Sequence, residues 1–130
     1  PFEIARLGLG YVPEERRIFT ELTVRENLEA GRRGVGWTPA KVAALFPSLG
    51  AMMDRPGGRM SGGEQQMLTI GRTLMGNPRA VLMDEPSEGL APVIVEQMAE
   101  AVLRLKGEAI AVLLSEQNLH FASAVADRAY

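Results

Sequence analysis

The chain has 130 residues, a formal net charge of −2 and no cysteine, and 46% of it is hydrophobic. That content supports the folded core of one domain, and the interspersed charges offer no basic patch for nucleic acid. The missing cysteines exclude disulfides and thiolate metal sites and fit a reducing compartment, and no apolar run reaches the ~20 residues that span a bilayer.

In chain order, the first predicted element is a short strand over residues 9–12, broken by Pro13. Thr23 and Glu26 form a T-x-x-E capping box, in which each side chain satisfies a free N–H of the other's backbone. A helix therefore starts there, ends near Gly31, and leads into a glycine-rich loop over 31–36. Thr38 followed by Pro39 is a cap with proline at the first helical position, which opens a helix to Phe46. Pro47 is expected to end it, with a further short helix over 48–53 and a turn over 55–58.

A second capping box, Ser61 with Glu64, starts the helix 61–75, whose predicted buried stripe is Met67, Ile70, Gly71 and Leu74. Asn77 and Pro78 stop it. Gly62 and Gly63 bare the backbone N–H groups at the positive end of this helix, where a phosphate could approach closely. The run 80–83 is short, apolar and preceded by turn residues, and it reads as a strand buried on both faces. Asp84 and Glu85 then lie just past its carboxyl end, where open parallel sheets bind ligands. Two adjacent carboxylates repel, and either a bound cation compensates them or Pro86 closes a solvated turn. Pro92 opens a helix with Ile94, Met98, Val102 and Leu105 at helical spacing, and 109–114 reads as a third strand.

The seven methionines are assigned to core packing rather than to a soft-metal site. Trp37 is assigned a local packing role, and Arg16 with Arg17 an exposed loop pair rather than a phosphate grip.

The combination is more specific than its parts. Met60-Ser61-Gly62-Gly63-Glu64-Gln65-Gln66 followed by Val81-Leu82-Met83-Asp84-Glu85-Pro86 resembles the nucleotide-binding subunits of ABC transporters. The first run is similar to the family's signature motif, with Met60 where leucine is usual. The second is similar to Walker B with its catalytic glutamate, and 87–90 to the D-loop, which more often ends in aspartate. Residues 13–28 resemble the Q-loop and the entry to the helical subdomain, with Glu14 at the glutamine position. Ser115-Glu116-Gln117-Asn118 resembles the switch region, with Gln117 at the histidine position; His120, the single histidine, lies three residues on. A register shift of about one helical turn could let His120 take that place. These departures form a set similar to the smaller ATPase subunit of branched-chain amino acid importers, and a relative importing urea or another amide is the nearest alternative.

The resemblance implies the later portion of an α/β P-loop NTPase domain, with parallel strands and an inserted helical subdomain. Its parts would be 1–19, the Q-loop strand and loop; 20–76, the helical subdomain with the signature helix; and 77–130, the Walker B, D-loop and switch region. It implies ATP and Mg²⁺ as cofactors. Ser61, Gly62, Gly63 and Glu64 would meet the γ-phosphate across a dimer interface, Asp84 would support Mg²⁺, and Glu85 would polarise the attacking water. Gln117 would stand at the switch position, and Glu14 at the junction with the membrane subunit. Neither Lys41 nor Lys106 lies in a G-x-x-x-x-G-K-[ST] loop, so Walker A is not among these residues. The chain therefore reads as a fragment, opening just before one strand and stopping at Tyr130 within another, inactive alone and prone to self-association. The implied partners are a second ATPase subunit and transmembrane permease subunits, and the implied location is the cytoplasmic face of the inner membrane. Two other readings are a non-catalytic, signature-bearing binding piece and a soluble ABC ATPase of DNA repair or translation.

Overall fold

The computed structural model describes residues 2–130. In chain order the elements are α1 (Phe2–Arg6), β1 (Leu9–Val12), α2 (Val24–Ala30), α3 (Pro39–Leu45), α4 (Pro47–Gly50), a 3₁₀ turn (Gly57–Arg59), α5 (Gly62–Leu74), β2 (Ala80–Asp84), α6 (Pro92–Gly107), β3 (Ala111–Ser115) and α7 (Leu119–Val125). The three strands form one parallel sheet in the order β1-β2-β3. Tyr11 pairs with Leu82 and Leu82 with Leu113, so the three strands are in step and their carboxyl ends share one edge. A parallel pair needs a long crossover: α2 to α5 lie between β1 and β2, and α6 lies between β2 and β3.

Both predicted capping boxes form with their reciprocal bonds. Thr23 Oγ1 accepts from Glu26 N at 3.1 Å while Glu26 Oε2 accepts from Thr23 N at 2.8 Å. Thr38 caps α3, with Pro39 at its first position as expected. Pro47 ends α3 but also begins α4, because a proline that cannot continue one helix has the right φ to open the next. The short helix expected over 48–53 is accordingly Pro47–Gly50.

Three other expectations are corrected. The third strand begins at Ala111 rather than at 109: Ala109 has φ +60°, and the N–H groups of Ala109 and Ile110 return to the Lys106 and Leu105 carbonyls at the end of α6. Residues 126–130 form no strand, so Tyr130 does not lie within one. The sheet, finally, is covered on one face only. Val12, Val81 and Met83 are buried beneath α5 and α6, whereas the alternate residues Leu9, Tyr11, Leu82 and Leu113 are 47%, 54%, 39% and 63% exposed. Residues 80–83 are therefore not buried on both faces.

α5 is buried more broadly than one stripe. Gln66, Leu68 and Thr69 join Met67, Ile70, Gly71 and Leu74 inside, because α2 and α4 contact it from one side and β1 from the other. Gly71 is demanded by this crowding: a Cβ there would sit 2.7 Å from Val42 Cγ1. Six of the seven methionines are in the buried core and Met52 packs on it. Trp37 is buried with Lys41 Nζ 4.5 Å above its ring, a local packing role.

Asn27 fixes the entry to the helical insert. It is fully buried, accepts from Phe19 N at 2.8 Å and donates to the carbonyls of Phe19 and Thr23, each at 2.9 Å. Asn27→Ala would leave several of these groups unpaired, so it should cost about 1–3 kcal/mol or more. Urea denaturation checks this, and a midpoint equal to that of the parent chain would mean that water replaces the side chain at no cost.

Candidate functional site

The carboxyl edge of the sheet gathers the acidic residues. Asp84 ends β2 opposite Ser115 of β3. It is half-buried and, among the described residues, makes no ion pair and accepts no hydrogen bond. It lines a cleft of about 500 Å³ together with Tyr11, Glu14, Glu15, Arg17 and Arg72. Glu14 and Asp84 thus share one cleft. Ser61, Gly62 and Gly63 are not part of its lining.

Glu85 leaves the strand with φ +47°, a left-handed conformation that a residue with a side chain seldom adopts. Its N–H donates to Ser115 O at 2.8 Å, and its carbonyl accepts from Glu88 N at 3.1 Å. The turn points the side chain back along the edge, where Oε2 accepts from Gln117 N at 3.3 Å. The two residues assigned to catalysis are therefore neighbours, joined through the Gln117 backbone. Partial burial pushes the Glu85 carboxyl above the ordinary carboxylate range; the Gln117 N–H opposes this, and the nearby charges of Glu116 and Glu88 add to it. A carboxylate raised in this way is a stronger proton acceptor.

Sequence reading missed Glu116. Its Oε1 accepts from both Gln117 N and Asn118 N at 3.1 Å, and its Oε2 accepts from Ser87 N at 3.2 Å. One carboxylate thus ties the turn after β2 to the turn after β3. Its place beside Gln117 was visible in the sequence, but its bond to Ser87 needs β2 and β3 to be adjacent and in register. His120 is exposed on the first turn of α7, which Asn118 caps through a 3.0 Å bond from Phe121 N. Among the described residues no hydrogen bond joins its imidazole to Glu85.

The start of α5 is the second half of the candidate site. Ser61 Oγ accepts from Glu64 N at 3.3 Å, and Glu64 Oε2 accepts from Ser61 N at 2.8 Å. The Glu64 carboxylate is engaged in this cap. Ser61 is exposed and Gly62 half-buried, whereas Gly63 is buried beneath α6, where a Cβ would meet Ile94 Cγ2 at 2.8 Å. Packing therefore accounts for Gly63, and Gly62 lies nearer the surface at the positive end of the helix.

Arg16 and Arg17 do not behave as one exposed pair. Arg17 is exposed beside Glu15 at 3.7 Å. Arg16 is half-buried, donates from Nη2 to Glu88 O at 3.2 Å, and places Nη1 2.8 Å from where a Gly62 Cβ would be.

Comparison with known proteins follows the same lines. The pattern of the ABC transporter family matches residues 2–88. The high-affinity branched-chain amino acid transport ATP-binding protein BraG of Pseudomonas aeruginosa is 47% identical over 132 residues, covering 98% of this chain and 57% of BraG. The lipopolysaccharide export system ATP-binding protein LptB of Acidithiobacillus ferridurans is 31% identical, covering 98% of this chain and 56% of that protein. Among solved structures, a nucleotide-free ATP-binding cassette from an ABC transporter superposes with a TM-score of 0.81 at 28% identity, covering 98% of this chain and 58% of the cassette. The chain thus spans little more than half the length of the relatives it matches.

Proposed function

The chain belongs to the ABC transporter family, and from that membership we propose that it forms the signature-bearing part of an ATP-hydrolysing subunit that powers import of branched-chain amino acids. The observation that carries the reading is the carboxyl edge of the sheet, where the raised carboxylate of Glu85 meets the Gln117 segment one residue beyond the unpaired Asp84. The 47% identity to BraG favours branched-chain amino acids as the cargo. The similarity to LptB keeps lipopolysaccharide export as the second reading.

In this proposal ATP lies between two subunits. Asp84 fits Mg²⁺, which is commonly held by one or two carboxylates together with substrate phosphates and water. Bound there, the ion would neutralise charge on the β- and γ-phosphates. Glu85 orients the attacking water and takes its proton, and the Gln117 N–H holds that carboxylate in place. Ser61, Gly62 and Gly63 present the start of α5 to the γ-phosphate of the nucleotide bound by the opposite subunit, while Glu64 keeps the helix capped. The loop that cradles the phosphates is not among these 130 residues and comes from the remainder of the full-length subunit. A second cleft, about 370 Å³, lies between β1 and the helical insert and is lined by Tyr11, Phe19, Gly31, Arg33, Arg72 and Thr73 among others. It offers a permease a seat contacting both parts, close to Glu14. No described helix is long and apolar enough to cross a membrane; in this proposal the subunit sits at the cytoplasmic face of the membrane, seated on the permease.

Uptake measurements test the cargo. Cells whose full-length subunit carries Glu85→Gln should lose most high-affinity uptake of labelled leucine, isoleucine and valine. Normal uptake of all three, with a defect in urea uptake or in lipopolysaccharide delivery, would assign the subunit to that other system.

A further inference from the structure

Arg16 lies in the Q-loop-like segment with no role assigned to it there, yet it touches two other motifs. It sits in the loop after β1, two residues past Glu14. Its guanidinium lies against Gly62 at the start of α5, where Nη1 would be 2.8 Å from any Cβ. Its Nη2 donates to Glu88 O at 3.2 Å, in the turn that follows Glu85. Glu88 in turn donates its N–H to the Glu85 carbonyl at 3.1 Å. On the far side of the same turn, Glu116 accepts from Ser87 N at 3.2 Å. The turn is therefore held between a cation from the β1 loop and a carboxylate from the β3 loop. Arg16 Nε is buried with no acceptor, and among the described residues no carboxylate pairs with the guanidinium. The placement of this half-buried guanidinium is therefore not explained by surface charge pairing.

We propose that Arg16 is a positioning residue for hydrolysis: a strut from the β1 loop that fixes the turn 87–90 relative to the start of α5. The inference rests on the ATPase reading above and adds a residue and a route to it. A rigid, planar guanidinium can lie flat over a glycine while donating to a carbonyl beyond it. The charge-assisted bond holds the Glu88–Gly89 peptide, in a turn that the Glu88 N–H ties to the Glu85 carbonyl. Displacement of the β1 loop, which also carries Glu14 at the cleft, is then passed to the signature glycine and to the base-bearing turn together. Lysine has the charge but not the fork, and methionine keeps much of the length without either.

The test uses the full-length subunit with Arg16→Lys and Arg16→Met, reading kcat and KM for MgATP, the melting temperature, and hydrogen exchange of the amides in 87–90. A catalytic group misplaced by about 1 Å can lose up to a hundredfold in rate. Both variants should therefore lose roughly tenfold to a hundredfold in kcat, keep KM and melting temperature near the parent, and exchange the turn amides faster. A parent-like kcat in both overturns the strut. So does a kcat that falls only in step with the melting temperature, which is the mark of simple destabilisation. If turnover depends on Glu85 but not on Arg16, the proposal fails while the ATPase reading stands; if turnover does not depend on Glu85, both fail.

Discussion

Glu85→Gln in the full-length subunit is expected to lower ATP turnover by about 10²–10⁴-fold, the range associated with losing a general base, while leaving nucleotide binding intact. Glutamine has nearly the same shape and can still accept the 3.3 Å bond from Gln117 N. It can also occupy the same left-handed turn, which glutamate already adopts at φ +47°. What it cannot do is take a proton from water. The change therefore removes an interaction made in the transition state and spares ground-state contacts, so kcat falls and KM does not rise. Steady-state hydrolysis and nucleotide-binding titrations separate the two. Unchanged turnover, or loss of binding in parallel, would take Glu85 out of the role assigned to it.

The isolated 130-residue chain should self-associate. Leu9, Tyr11, Leu82 and Leu113 lie along the uncovered face of the sheet. Fully burying one exposed large apolar side chain is worth ~1.5–3 kcal/mol; these four are 39–63% exposed, so each gains about half of that, and together they favour association against its entropic cost. Strand edges add unpaired N–H and C=O groups that can template pairing with another copy. Light scattering over a concentration series should show a rising mean mass without nucleotide, reduced by Leu82→Glu with Leu113→Glu. A clean monomer at high concentration that binds no apolar dye would show that the exposed face is benign.

Local chemistry carried most of what was legible beforehand. Thr23 with Glu26 and Ser61 with Glu64 announce their helices because a capping box lies within four residues and needs no tertiary partner. Residues 9–12 and 80–83 read as strands from apolar runs bounded by turn residues. Expectations went wrong where a third element decides the outcome. Apolar residues 80–83 signal a sheet that can be buried on both faces, but whether a second layer is present is not written in the strand. Pro47 stops one helix by its missing N–H, yet only the path of the chain decides whether it also starts another. At the site, sequence reading assigns Glu116 no role and places Arg16 in an exposed loop pair. Each acts on a turn, 87–90, that is distant in sequence by 29 and 72 residues respectively, and no spacing rule connects such positions. Glu85 itself was legible as a strand-end carboxylate, whereas its left-handed backbone and the contact with Gln117 appear only once β2 and β3 are in register.

If Glu85 acts on the ATP of its own subunit while the start of α5 closes over the ATP of a second, MgATP must join two subunits. That joining is read from the mass in solution of the full-length Glu85→Gln subunit, by size exclusion with light scattering, with and without MgATP. The subunit should be a monomer without nucleotide and a stable dimer holding two ATP with it, and adding Ser61→Arg, which places bulk at the start of α5, should abolish the dimer. A mass that ignores MgATP, or a dimer indifferent to Ser61→Arg, would contradict that arrangement.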